Sequence, residues 1–185
     1  GLRANAVQQD GNGGFISVNG GKVTLNGLFQ ANGRGTGNGG SIVVSSNGTD
    51  DDGGGGVIIG LAAFSAPPEE PFETSAAGEP ETIEVSQSFQ ANAGTVGYGG
   101  LISIQSESGS IKLGGGSTLA SFLANGGTQE GDGGNIHISS ASDLSITANQ
   151  LSASARGNGN GGGIQLSADG ATMVNGTLAA TGKGV

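Results

Sequence analysis

The stretch FQANGRGTGNGGSIVV, residues 29–44, returns as FQANAGTVGYGGLISI at 89–104 and as FLANGGTQEGDGGNIHI at 122–138. Each copy sets out an aromatic residue, an alanine two places on, an asparagine, a glycine-rich run, and a glycine pair that leads into alternating aliphatic residues. Shorter versions open at Leu2 (LRAN), Leu151 (LSAS) and Leu178 (LAAT). Successive openers are separated by 27, 60, 33, 29 and 27 residues. Glycine supplies 41 of 185 residues and aromatics 4%, a composition that by itself suggests flexible linker. Periodicity reverses that reading, because a unit that recurs can bury its apolar face on the next unit and build a continuous core.

Two further landmarks recur. A glycine pair followed by an alternating aliphatic pair falls at Ile16/Val18, Ile42/Val44, Ile102/Ile104, Ile136/Ile138 and Ile164/Leu166. A second alternating pair precedes each new opener, at Val23/Leu25, Ile83/Val85, Ile111/Leu113, Leu144/Ile146 and Thr172/Val174. Period-2 alternation over three to five residues reads as strand, and no segment carries a helical apolar stripe. Asn-Gly, Gly-Gly and Gly-x-Gly-Gly between the strands are read as bends that need positive φ. Three strands and three bends per unit predict an all-β fold, a right-handed parallel β-helix (β-solenoid) with three short strands per coil and about five to six coils. Stacking then places Ile16, Ile42, Ile102, Ile136 and Ile164 in one inward column.

The alanines Ala31, Ala91 and Ala124 fall on the inward face beside the aromatic. Asn5, Asn32, Asn92 and Asn125 follow them and are expected to form a structural ladder, adopting left-handed backbone at a bend and hydrogen-bonding the neighbouring coil.

The stretches ANGRGTGNGGSIVV, ANGGTQEGDGGNIHI and SASARGNGNGGGIQL resemble the repeats of filamentous-haemagglutinin-like exoproteins, bacterial adhesins exported by two-partner secretion. The resemblance covers every coil except residues about 46–81. It implies a β-helical stalk that is secreted, extracellular or held at the cell surface. The N-terminal secretion domain of such exoproteins is not recognisable, so the chain is expected to be a passenger segment.

Other bounds agree with that placement. The chain has no cysteine, which excludes disulfides and thiolate metal sites. No apolar run approaches the ~20 residues of a membrane span, and no signal peptide is visible. The formal charge is −9, with the six basic residues Arg3, Lys22, Arg34, Lys112, Arg156 and Lys183 scattered, which argues against nucleic acid as a partner.

Residues 46–81 form an acidic, Pro-rich insertion within what otherwise reads as one domain over 1–185. All four prolines lie there, with eight of the fifteen acids. Two readings stay open: a partial extra coil built on GVIIGLAAF, or an excursion lying on one face. Asp50, Asp51 and Asp52 in TDDDGGGG form a candidate weak calcium site, against the alternative of a solvated acidic loop. No other cofactor is expected.

GTGNGG and GNGNGG match G-x-G-x-x-G, but no helix follows, so they read as punctuation in a strand repeat rather than a dinucleotide site. His137 is expected to face solvent between inward Ile136 and Ile138. Among the acids of the regular coils, only Glu130 and Asp132 are expected close together, on a turn. A β-helix lyase or hydrolase needs acids and bases gathered on adjacent coils, so the chain is read as non-catalytic.

The function expected is that of an extracellular structural or adhesive stalk or filament segment. Its partners would be neighbouring β-helical segments or identical subunits end to end, together with cell-surface or matrix glycans, with no membrane insertion. The alternative is a glycan-binding or polysaccharide-processing β-helix, for which Tyr98 is the one outward aromatic candidate. Ice binding would need threonine ranks, and the threonines do not recur at one position.

Overall fold

The computed structural model describes residues 1–25, 27–47, 57–59, 88–114 and 120–184. These form an all-β structure whose named strands pair in parallel, with no helix among the described residues. In chain order the strands are β1 (Leu2–Arg3), β2 (Phe15–Gly20), β3 (Val23–Leu25), β4 (Phe29–Gln30), β5 (Ser41–Ser46), β6 (Val57–Ile59) and β7 (Ser88–Gln90). They continue with β8 (Leu101–Ser106), β9 (Ile111–Leu113), β10 (Ala120–Leu123), β11 (Asn135–Ser140), β12 (Leu144–Ser152), β13 (Gly163–Ala168) and β14 (Thr172–Ala179).

Five strands make one sheet in the order β13-β11-β8-β5-β2. The other nine run β1-β4-β7-β10-β12-β9-β6-β3, with β14 also on β12. That second sheet contains two ladders fused at one end. β12 pairs β9 through Leu144–Ile146 and β10 through its later residues, and its pairing with β14 shifts register between Thr147 and Gln150. Where β3 and β4 are separate strands, their equivalents in β12 and β14 have merged into one continuous bent strand.

Register follows the apolar alternation, because a slip of one residue would turn every core side chain to water. Ile16, Ile42, Ile102, Ile136 and Ile164 are successive partners in the five-stranded sheet, as the spacing predicts. Ile42 and Ile102 are fully buried, while Ile164, in the edge strand β13, is only partly covered. A second column sets Leu2, Phe29, Phe89, Phe122, Leu151 and Leu178 in register. Its three rings stack at 4.9 Å and 5.3 Å between centroids, tilted by only 8° and 16°. That near-parallel stacking follows from strand spacing of ~4.8 Å, which leaves no room for edge-to-face packing.

The glycine pairs differ from the expectation. None of the ten paired residues is among the positive-φ glycines, whereas positive φ does occur as expected at Asn-Gly (Gly27, 114°) and at the first glycine of Gly-x-Gly-Gly (Gly97, 133°; Gly131, 121°). Close backbone approach explains the pairs instead. A Cβ on the first glycine (Gly13, Gly39, Gly99, Gly133 or Gly161) would overlap the carbonyl oxygen of the inward alanine one repeat on (Ala31, Ala91, Ala124, Ala153 or Ala180). The second glycine donates its N–H to the inward alanine of its own repeat, at 2.6 Å from Gly14 to Ala4, Gly40 to Ala31, Gly100 to Ala91, Gly134 to Ala124 and Gly162 to Ala153. No asparagine among the described residues has positive φ, so the left-handed conformation expected at Asn5, Asn32, Asn92 and Asn125 does not occur.

The insertion also differs. The rank between β3 and β9, assigned from the pattern to Ile83/Val85, is filled by β6, with Val57 and Ile59 paired to Val23 and Leu25 on one side and Ile111 and Leu113 on the other. The β-branched run VII suits a central strand. Val57–Ile59 therefore supply the regular strand of their own repeat, and the span 46–81 contains a paired strand. Ile83 and Val85 lie outside the described residues.

At the corner after the five-stranded sheet sits a buried column of serines, Ser46, Ser106 and Ser140. Ser46 Oγ donates to Gly21 O, Gly109 N–H donates to Ser106 Oγ at 3.2 Å, and Ser140 Oγ donates to Gly109 O at 2.9 Å. Each hydroxyl satisfies a turn group that the ladders leave unpaired.

Two substitutions and a control test this packing. Ile136→Asp, which buries a carboxylate without a partner, is expected to destabilise by several kcal/mol. Gly99→Ala should cost about 1–3 kcal/mol through overlap with Ala124 O, whereas Gly184→Ala, with nothing within 4 Å, should melt like the parent in urea followed by circular dichroism. Joining Gly60 directly to Gln87 leaves Ile59 and Phe89 as far apart in sequence as Leu25 and Phe29. That deletion is expected to keep a cooperative β transition, and a deletion of 48–80, which removes β6, to weaken it.

Candidate functional site

The four asparagines of the opening motif are linked in series. Asn5 Oδ1 accepts the N–H of Asn32 at 2.9 Å, Asn32 Oδ1 that of Asn92 at 3.0 Å, and Asn92 Oδ1 that of Asn125 at 2.9 Å. The series continues where the sequence changes, since Asn125 Oδ1 accepts from Ser154 N–H at 3.0 Å and Ser154 Oγ from Thr181 N–H at 3.1 Å. These are side chain to main chain bonds, not stacked amides. An outer rung lies beside them: Gln30 Nε2 donates to Gln90 Oε1 at 2.9 Å, and Asn5 Nδ2 to Gln30 Oε1 at 3.3 Å.

A parallel column, not anticipated from the sequence, runs through the second residue of each G-x-G-G. Asn12 Oδ1 accepts Asn38 N–H at 2.9 Å, Asn38 Oδ1 accepts Tyr98 N–H at 2.8 Å, and Asp132 Oδ1 accepts Asn160 N–H at 2.7 Å. The available signal was that Asn12, Asn38, Tyr98, Asp132 and Asn160 occupy one position of the repeat, and four of them carry an acceptor oxygen. The G-x-G-x-x-G matches are thus part of this edge, and β5 and β13 rather than helices follow them.

Beside that edge lies a shallow cleft of about 380 Å³ lined by Val96, Gly97, Tyr98, Glu130, Gly131, Asp132, Asn158 and Gly159. Parallel bridges Val96↔Glu130↔Asn158 form its floor. Tyr98 is 59% exposed and is flanked in sequence by Gly97 and Gly99. Glu130 and Asp132, the one acidic pair expected together, do line this cleft. Its groups can both accept and donate hydrogen bonds at a face that also offers an aromatic ring.

Other residues singled out in the sequence are dispersed. His137 lies on the outer face of the five-stranded sheet, half-buried between its register partners Ser103 and Gln165. Asp10 and Asp143 accept main-chain N–H groups from Thr36 and Ala171 of the following repeats. Glu107 and Asp169, not expected together, line a separate recess of about 220 Å³ with Gln105 and Ser139. Asp50, Asp51 and Asp52 lie outside the described residues. Arg156 is a strap that the pattern did not reveal. Its Nε donates to Gly126 O at 2.8 Å and its Nη2 to Ala93 O at 2.7 Å, so one guanidinium ties three repeats. Burial lowers its pKa from the ordinary arginine value, yet an arginine remains protonated at any physiological pH.

Comparison with family models, curated proteins and solved structures gives no match.

The series of side-chain oxygens makes Asn92 a sensitive position, since it both receives and passes on a bond. Asn92→Ala leaves Asn125 N–H without its acceptor and is expected to cost about 1–3 kcal/mol. Asn92→Ser, copying Ser154, should recover part of that loss in the same chemical melt.

Proposed function

We propose that this chain is a right-handed parallel β-helix of five stacked three-strand coils, working as a non-catalytic extracellular stalk or filament segment of an adhesive surface protein. The observation that carries the proposal is the uninterrupted register of its columns. The same isoleucine, aromatic and asparagine positions meet their counterparts from repeat to repeat, so the hydrogen bonds of the ladders share one direction along the stack. The right hand follows from the general preference of parallel crossovers. Main-chain N–H groups bond to side-chain oxygens along both asparagine columns, which suits a chain whose repeated residues serve rigidity.

The resemblance of the repeats to filamentous-haemagglutinin-like exoproteins supports placing such a rod outside the cell. The formal charge of −9 favours solubility and self-repulsion along its sides over binding to nucleic acid. At the two edges of the five-stranded sheet, β2 and β13 each present one unpaired side, a template for a further strand. A neighbouring β-helical segment or an identical subunit, docked end to end, would extend the columns from Ile164 and Leu178 onto Ile16 and Leu2. Such a contact is heterologous and propagates into a fibre.

Electron microscopy and fibre diffraction of the protein at high concentration, or of native material, test the reading. Thin rods with an axial repeat of ~4.8 Å are expected. Isolated globular particles that stay monomeric at all concentrations, with a diffraction pattern lacking that repeat, would remove it.

A further inference from the structure

Tyr98 stands where the repeat calls for an oxygen. Along the column Asn12, Asn38, Tyr98, Asp132, Asn160, the Oδ1 atoms of Asn12, Asn38 and Asp132 each accept the N–H of the next member. Tyr98 donates its N–H to Asn38 Oδ1, but among the described residues its side chain accepts no N–H in turn, and no acceptor meets the N–H of Asp132. The substitution gives up a rung of the fold and places an exposed ring beside a recess whose edge carries a free main-chain donor. A residue that weakens a local pattern without a structural return is a mark of function.

We propose that the Tyr98 cleft is a binding site for a neutral saccharide. The volume, about 380 Å³, falls in the range of small-molecule sites and accommodates one or two sugar rings. A pyranose presents an apolar C–H face, which the Tyr98 ring can cover, and a rim of hydroxyls that each donate and accept. The residues lining the cleft carry both halves of that rim: carboxylates of Glu130 and Asp132, the latter with Oδ1 already bonded to Asn160 N–H, and donor groups of Asp132, Asn158 and Tyr98. A cationic ligand would use the acceptors and leave the donors idle. Sulfated or carboxylated glycans would meet two carboxylates on a chain of charge −9 and be repelled. The site deepens the adhesive reading above and rests on it, giving the stalk a ligand class on one long edge.

Saturation-transfer NMR and calorimetry of the whole chain with lactose, maltotriose and cellotriose test the proposal, with a heparin-derived oligosaccharide and tetralysine alongside. At least one neutral sugar should bind in the millimolar range or tighter, and Tyr98→Ala should weaken it about tenfold or more. Tyr98→Asn is the decisive variant, because it restores the missing rung. It should raise the melting temperature while abolishing sugar binding, a pairing that loss of structure cannot produce. No binding by any of the three neutral sugars, binding indifferent to Tyr98→Asn, or preference for heparin or tetralysine would each overturn the proposal. Rods seen by electron microscopy in a preparation that binds no sugar would leave the stalk reading standing and remove only this site.

Discussion

In every repeat the N–H of the second paired glycine donates to the carbonyl of the inward alanine, at 2.6 Å in all five cases. That short main-chain bond sets the end of one strand against the beginning of another and fixes the outline to which all side chains conform. It works only because the preceding glycine lacks a Cβ, since the carbonyl of the next repeat's alanine occupies the space where one would sit. The alanine's methyl is equally constrained, being fully buried at Ala31, Ala91 and Ala124. Once these atoms are placed, the phenylalanine two residues before the alanine and the isoleucine two residues after the glycine pair have no choice of face.

On that outline the polar residues divide into two kinds of work. Asparagine, aspartate and serine oxygens at the bends take up main-chain N–H groups that the short ladders do not reach, so the bends become hydrogen-bonded columns of their own. Such bonds gain strength from partial burial and would be costly to leave half made. Arg156 reinforces the same region crosswise, its guanidinium reaching carbonyls in two other repeats. The Tyr98 position shows the converse, a place where the columnar rule yields to an exposed ring.

Much of this order was legible in the sequence because a period-2 pattern within a longer repeat fixes both face and register. The isoleucine column, the aromatic column and the asparagine series all follow from spacing alone. What spacing could not carry was distance between neighbouring backbones, so the glycine pairs read as positive-φ bends when they answer to close approach. Nor could it choose between Val57/Ile59 and Ile83/Val85, two alternating pairs of similar character separated by a proline-rich stretch; pairing with Val23/Leu25 and Ile111/Leu113 makes the choice. The column through Asn12, Asn38, Asp132 and Asn160 was hidden for a different reason. Its residues were read as punctuation between strands, and the break at Tyr98 becomes visible only when the oxygens are followed from one repeat to the next.

The long step between Asn32 and Asn92 bears on the order in which the stack can assemble. Their bond closes 60 residues, where the neighbouring rungs close 27 and 33. Loop-closure entropy grows slowly, by about 0.6 kcal/mol for each doubling of length, so the junction is a kinetic delay and not a thermodynamic barrier. The short steps fall into two blocks, the repeats up to Asn32 and those from Phe89 onward, each of which closes its own rungs over a shorter chain than the junction between them. The pairing of β5 with β8 is the seam at which the two blocks meet in the five-stranded sheet.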